Sequence, residues 1–191
     1  MIRILRADYM RLWNSSAFRF SLAGMLLLSA GFIIMQATGM GYTVPLSRVI
    51  FLPMSMFGIM MAAFIGIFVG SDFSDGTIRN KLLISERRNS IVISQIIVNS
   101  TACIVIYILV TVFTAGIGYL FFENDVDNAD FLTYFLLGVG MSLSMGCIFS
   151  VAALLCGSRT HAVIVCMGIA FVMFGLCMHS NEVLAQAEYK D

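Results

Sequence analysis

Charge is what this sequence has least of. Only 12% of its 191 residues are Asp, Glu, Lys or Arg, against about 25% in an ordinary soluble domain. Proline is also scarce, with 2 in the whole chain, and glycine stands at 16 without a collagen-like period, so fibrous and Pro-rich classes are excluded. Intrinsic disorder is excluded by the apolar content: 60% of residues are hydrophobic and 12% aromatic. Five cysteines are present, Cys103, Cys147, Cys156, Cys166 and Cys177, but their spacing matches neither a zinc site nor a C-x-x-C redox pair. All lie in or at the edge of apolar runs, where a thiol is a small polarizable packing group. A globule with a mean hydropathy of +0.95 and so little polar surface has no means of staying in water. The composition is that of an integral membrane protein.

The distribution of charge is more informative than its balance of zero. No charged residue occurs in the windows 20–47, 49–71, 89–122, 131–158 and 160–181. Crossing a hydrocarbon core takes about 20 apolar residues. The sequence therefore predicts an all-α fold with five spans, at about 20–38, 49–70, 93–122, 131–157 and 162–178, in a single transmembrane domain. Basic residues favour cytoplasmic segments. With the N-terminus inside, nine of the eleven basic residues fall on that side: Arg3, Arg6, Arg11, Arg19, Arg79, Lys81, Arg87, Arg88 and Arg159. Acidic residues cluster on the other side, in Glu123, Asp125, Asp127 and Asp130 and in the tail. The expectation is a multi-pass protein of the cell membrane with a cytoplasmic N-terminus and an outer C-terminus. No A-x-A cleavage site follows the first apolar run, so an uncleaved first span is expected.

Two segments do not span. Residues 1–16 place Ile2, Leu5, Tyr9, Leu12 and Trp13 on one helical face, with Arg3, Arg11, Asn14 and Ser15 opposite. That pattern suits an interfacial helix in the headgroup plane. Residues 72–90 open with the turn signal Asp75-Gly76 and continue into Ile78, Leu82, Leu83 and Ile84, apolar residues in a basic loop that call for burial. Within the spans, small residues recur every four positions: Gly58, Ala62, Gly66 and Gly70 in the second, Gly138, Ser142, Gly146 and Ser150 in the fourth. Such stripes let helix backbones approach closely in lipid. Gln95 and Asn99 share a face of the third span and are expected to bond across helices.

Catalytic signatures are missing. Gly140-Met141-Ser142-Leu143 lacks the second glycine of an intramembrane serine nucleophile, and His161 and His179 lie at opposite ends of the fifth span. No metal-binding spacing, no phosphate-binding G-x-x-x-x-G-K-[ST] loop and no deeply placed charge for an ion-coupled carrier occurs. The chain is therefore not expected to be an enzyme, to bind a metal or cofactor, or to contact nucleic acid.

Asp72-x-x-x-Gly76-Thr77-Ile78-Arg79-Asn80-x-Leu82 followed by Arg88, together with the basic leader and the span layout, resembles the permease subunit of type-2 ATP-binding cassette (ABC) exporters. The resemblance implies a transmembrane subunit that exports a substrate with ATP hydrolysed on a separate cytoplasmic ATPase, paired with a second permease copy or a homologue. Small relatives of this kind often serve antimicrobial-peptide export or immunity, and others move drugs or lipid-linked molecules. It also implies an ATPase-coupling segment comprising Asp72, Gly76, Thr77, Ile78, Arg79, Lys81, Leu82, Leu83, Arg87 and Arg88. Family permeases usually have six spans; five are legible here. The alternative from a different class is a non-transporting membrane scaffold or accessory protein.

Overall fold

The computed structural model describes residues 2–39, 46–77, 88–122 and 128–188, and every regular element among them is a helix. In chain order these are α1 (Ile2–Asn14), α2 (Ser16–Gly39), α3 (Leu46–Phe51), α4 (Met54–Ser74), α5 (Arg88–Phe121), α6 (Asn128–Leu155) and α7 (Arg159–Glu188). Five stretches are long and apolar enough to cross a membrane: Ser16–Gly39, Val49–Ser74, Asn89–Phe121, Ala129–Leu155 and Arg159–Val183. Each coincides with one of the uncharged windows, as expected of helices that must satisfy their own backbone in lipid. The outer surface is correspondingly apolar, with Leu27, Leu120 and Leu155 each more than 70% exposed.

Two boundaries differ from expectation. The second window is not one helix but two, because Pro53 interrupts it. Proline has no N–H to donate and disfavours helical geometry in the residue before it. Leu52 and Pro53 accordingly form a turn between α3 and α4. The last helix runs ten residues past the predicted end at 178, to Glu188, since neither glycine nor proline follows Met178 to stop it.

α4 lies at the centre, packed on α7, α6 and α2, while α5 packs on α6, α2 and α1. Glycine sets the closest approaches. A β-carbon at Gly66 would stand 2.9 Å from the Cα of Val163, and one at Gly70 2.9 Å from the Cα of Arg159. Ala62 is fully buried on the same stripe, and Gly58 meets only the tip of Met145 at 3.6 Å. On α6, a β-carbon at Gly146 would stand 2.6 Å from the Cα of Ser100, and Gly138 makes room for the ring and hydroxyl of Tyr107. Ser142 is buried and donates to the Gly138 carbonyl at 2.7 Å. Without a hydrophobic force between helices in lipid, backbone proximity of this kind supplies the dispersion contacts that hold them together.

The two ends of the bundle differ in chemistry. At one end, rings run from α3 to α6: Phe51 packs on Phe131 and Tyr134, Phe131 stacks on Phe135, and Phe135 meets Tyr107, which meets Phe57 edge-on. At the other end, α1 and α2 meet, α4 stops, α5 begins and α6 turns into α7. Two turns there use left-handed glycines, Gly76 (φ +68°) after α4 and Gly157 (φ +66°) before α7, a conformation a β-carbon would strain.

Candidate functional site

The polar end of the bundle carries a connected set of buried polar side chains. Asp72, on the last turn of α4, is 1% exposed. A carboxylate so placed is tolerable only if paired. It has two partners from two different helices: the Arg11 guanidinium of α1 forms an ion pair with it, and the Gln95 amide of α5 donates to its other oxygen. Arg11 is further fixed by a bond to the Phe68 carbonyl at 3.4 Å and by lying 4.3 Å over the Phe68 ring. Burial pulls the Arg11 pKa below its ordinary value, and the negative charges of Asp8 and Asp75 oppose that shift in part.

α1 is secured to α5 by two more contacts. Asp8, 2% exposed, accepts a hydrogen bond from Ser94 at 2.9 Å. The Tyr9 hydroxyl lies 2.8 Å from that of Thr101. One turn beyond Gln95, the Asn99 amide donates to Ser150 of α6 at 2.9 Å, and Ser150 donates in turn to the Gly146 carbonyl at 2.6 Å. Gln95 and Asn99 thus bond across helices, as the sequence suggested. Their carbonyl oxygens are buried with no hydrogen-bond partner among the described residues, so each can accept one further donor.

Asp72, the first residue of the expected coupling segment, is held in the bundle by Arg11 and Gln95. One placement corrects the sequence reading. Arg11 was placed on the outer, basic face of the leader, yet it points inward, while Trp13 on the expected apolar face is 63% exposed. The inward face of α1 is turned by about a quarter turn, onto Asp8, Leu12 and Arg11, because two buried hydrogen-bonding groups outweigh one aromatic side chain that lipid accommodates equally well. Sequence reasoning missed Asp8. The signal was present: it is the sole acidic residue before Asp72, in a leader otherwise basic and apolar.

Of the other expected coupling residues, Gly76 and Thr77 lie just beyond α4, with the Gly76 N–H donating to Phe73 at 3.4 Å. Arg88 opens α5. Ile78, Arg79, Lys81, Leu82, Leu83 and Arg87 lie outside the described residues. At the neighbouring turn, the Ser158 hydroxyl accepts from the His161 N–H at 3.4 Å, capping α7. The His161 Nδ1 lies 2.5 Å from the same Ser158 hydroxyl, so the ring and the backbone N–H both hold that turn. Among the described residues, no three His, Cys, Asp or Glu side chains are grouped to hold a metal ion.

Chemically, the arrangement is a clasp. Charge and amide groups from α1, α4 and α5 meet at Asp72, immediately before the chain leaves α4 for the segment that leads to α5. Set against protein-family models, curated proteins and solved structures, the chain matches none.

Proposed function

We propose that this chain is the permease subunit of an ABC exporter of the cell membrane, with its N-terminus in the cytoplasm, driven by ATP hydrolysis on a separate ATPase subunit and working with a second permease copy or a homologue. The observation that carries the reading is the clasp at Asp72. A segment between α4 and α5 that docks on a motor must pass its displacement to the spans rather than bend at its root. The Arg11–Asp72–Gln95 contacts tie that root to three helices, so a push on the segment moves α1, α4 and α5 together. The resemblance over residues 72–88 supports the same assignment, with Arg79, Lys81, Arg87 and Arg88 as charge contacts to the ATPase and Ile78, Leu82 and Leu83 as its buried ones. Antimicrobial peptides, drugs and lipid-linked molecules are the cargo classes this resemblance offers.

Co-expression with a cognate ATPase tests the proposal. Leu82→Asp places a charge at the docking face and is expected to abolish co-purification of the ATPase and substrate-stimulated ATP hydrolysis, with the permease still folded. Wild-type recovery of the ATPase with this variant overturns docking at Leu82. A non-transporting scaffold would instead bind partners without any nucleotide-dependent change in cross-linking through residues 77–87.

A further inference from the structure

A cleft opens on the flank of the bundle where α1 joins α2. It has a volume of about 440 Å³ and lies between the start of α2, the second half of α4 and the first residue of α7. Its chemistry is divided. Its lining includes Ser15, Ser16, Ser71 and Arg159 beside the apolar Ala63, Phe64 and Ile67. Arg159 is exposed and has no ion-pair partner among the described residues. The Ser71 hydroxyl is already donated to the Phe68 carbonyl at 2.8 Å, which leaves Arg159 and Ser16 as donors. A cation beside a hydroxyl in an apolar cleft is complementary to an anion attached to an apolar body.

The apolar part does not end there. Met60 lines both this cleft and a second groove of about 480 Å³ that continues along α2. The second groove is lined by Gly24, where the end of Met60 fills the space of the missing side chain, and by Gly31, Leu28, Phe32 and Met35. A β-carbon at Gly31 would meet nothing within 4 Å, so that stretch is open. Gly24 to Met35 covers roughly 16 Å of helix rise. One leaflet of hydrocarbon is roughly 15 Å deep, half of a core about 30 Å thick. The groove therefore runs from the basic end of the bundle through the depth one acyl chain occupies.

We infer that the two adjoining grooves together are a binding site for one anionic glycerophospholipid, its phosphate held by Arg159 and the hydroxyl of Ser16, and one acyl chain laid along α2 past Met60 and Gly31. The inference is independent of the exporter reading. It separates this groove from at least one other apolar cleft on the bundle. The Met-lined cleft of about 300 Å³ between α4, α6 and α7, for example, has no charged residue in its wall.

The test uses the purified full chain equilibrated in micelles with equimolar phosphatidylglycerol and phosphatidylcholine, with retained lipid counted by native mass spectrometry. The wild type is expected to hold at least one phosphatidylglycerol, preferred about fivefold over phosphatidylcholine, the selectivity one basic residue near a headgroup confers. Arg159→Gln should bring the ratio to about one, and Gly31→Leu, a change the open space accommodates, should lower retention of both lipids. Arg6→Gln, on the exposed side of α1, should leave the ratio unchanged. Equal retention by the wild type, an unaltered ratio in R159Q, or an equal fall in R6Q overturns the headgroup site; unaltered retention in G31L overturns the acyl-chain path.

Discussion

Arg11 of α1 is ion-paired with Asp72 of α4, joining the first helix of the chain to the far end of a span sixty residues later. Asp72 is the more buried of the two, so the consequences of breaking the pair are asymmetric. Arg11→Met takes the paired cation away from a carboxylate buried in the bundle, and is expected to cost about 3 kcal/mol. Asp72→Asn leaves a cation that can still reach solvent and should cost less. The double variant Arg11→Met/Asp72→Asn should recover part of the loss. Thermal unfolding of the four proteins in detergent gives the coupling energy directly.

The glycine stripe on α4 predicts a graded response. Gly66→Ala drives a methyl group against the backbone of Val163, which cannot rotate away, and should destabilise the bundle by about 1–3 kcal/mol. Gly116→Ala, at an exposed site on α5 with open space around it, should be neutral or slightly stabilising. Thermal stability and monodispersity of the two variants, measured side by side, separate close packing from a general effect of replacing glycine in a helix.

Across the α5–α6 interface, the Asn99–Ser150 bond is a single neutral contact in lipid. Asn99→Leu should cost about 0.6–2 kcal/mol, the range for interhelical hydrogen bonds in membranes, and Ser150→Ala should cost no more when made in the Asn99→Leu background. A larger loss for the second change in that background would show that Ser150 acts elsewhere.

Topology gives a fourth prediction. In a chain whose five native cysteines are replaced, Arg88→Cys should react with a membrane-impermeant maleimide only after the cells are opened, and Asp130→Cys in intact cells. The reverse pattern would invert the arrangement on which motor docking depends.

The spans were legible because lipid enforces a crude rule: about twenty residues without charge, in a helix. The packing stripe was legible for a related reason, since Gly66 and Gly70 recur at the helical spacing of one face. What could not be read was rotation. Nothing in the periodicity of residues 1–16 distinguishes a face that meets lipid from one that meets protein, because both accept Leu12 and Trp13. The choice was made by Asp8 and Arg11, whose partners Ser94 and Asp72 are distant in sequence. Asp72 itself looked like the first residue of a loop because it ends an apolar run; its burial depends on Gln95, on a helix that begins sixteen residues further on. Pro53 carried a local signal for the break between α3 and α4, but an uncharged window reads the same whether or not a turn interrupts it.

The unlike ends of the bundle have a mechanical consequence. Contacts between tilted rings, such as Phe51 with Tyr134 at 5.7 Å, lose little when they slide, whereas an ion pair sealed from water is either made or broken. The protein is therefore stiff near Arg11 and compliant near Phe51. Deformation entering at the rigid extremity is carried along the helices and spent as sliding among the aromatic residues, the way a pair of tongs gripped at the pivot opens at the tips.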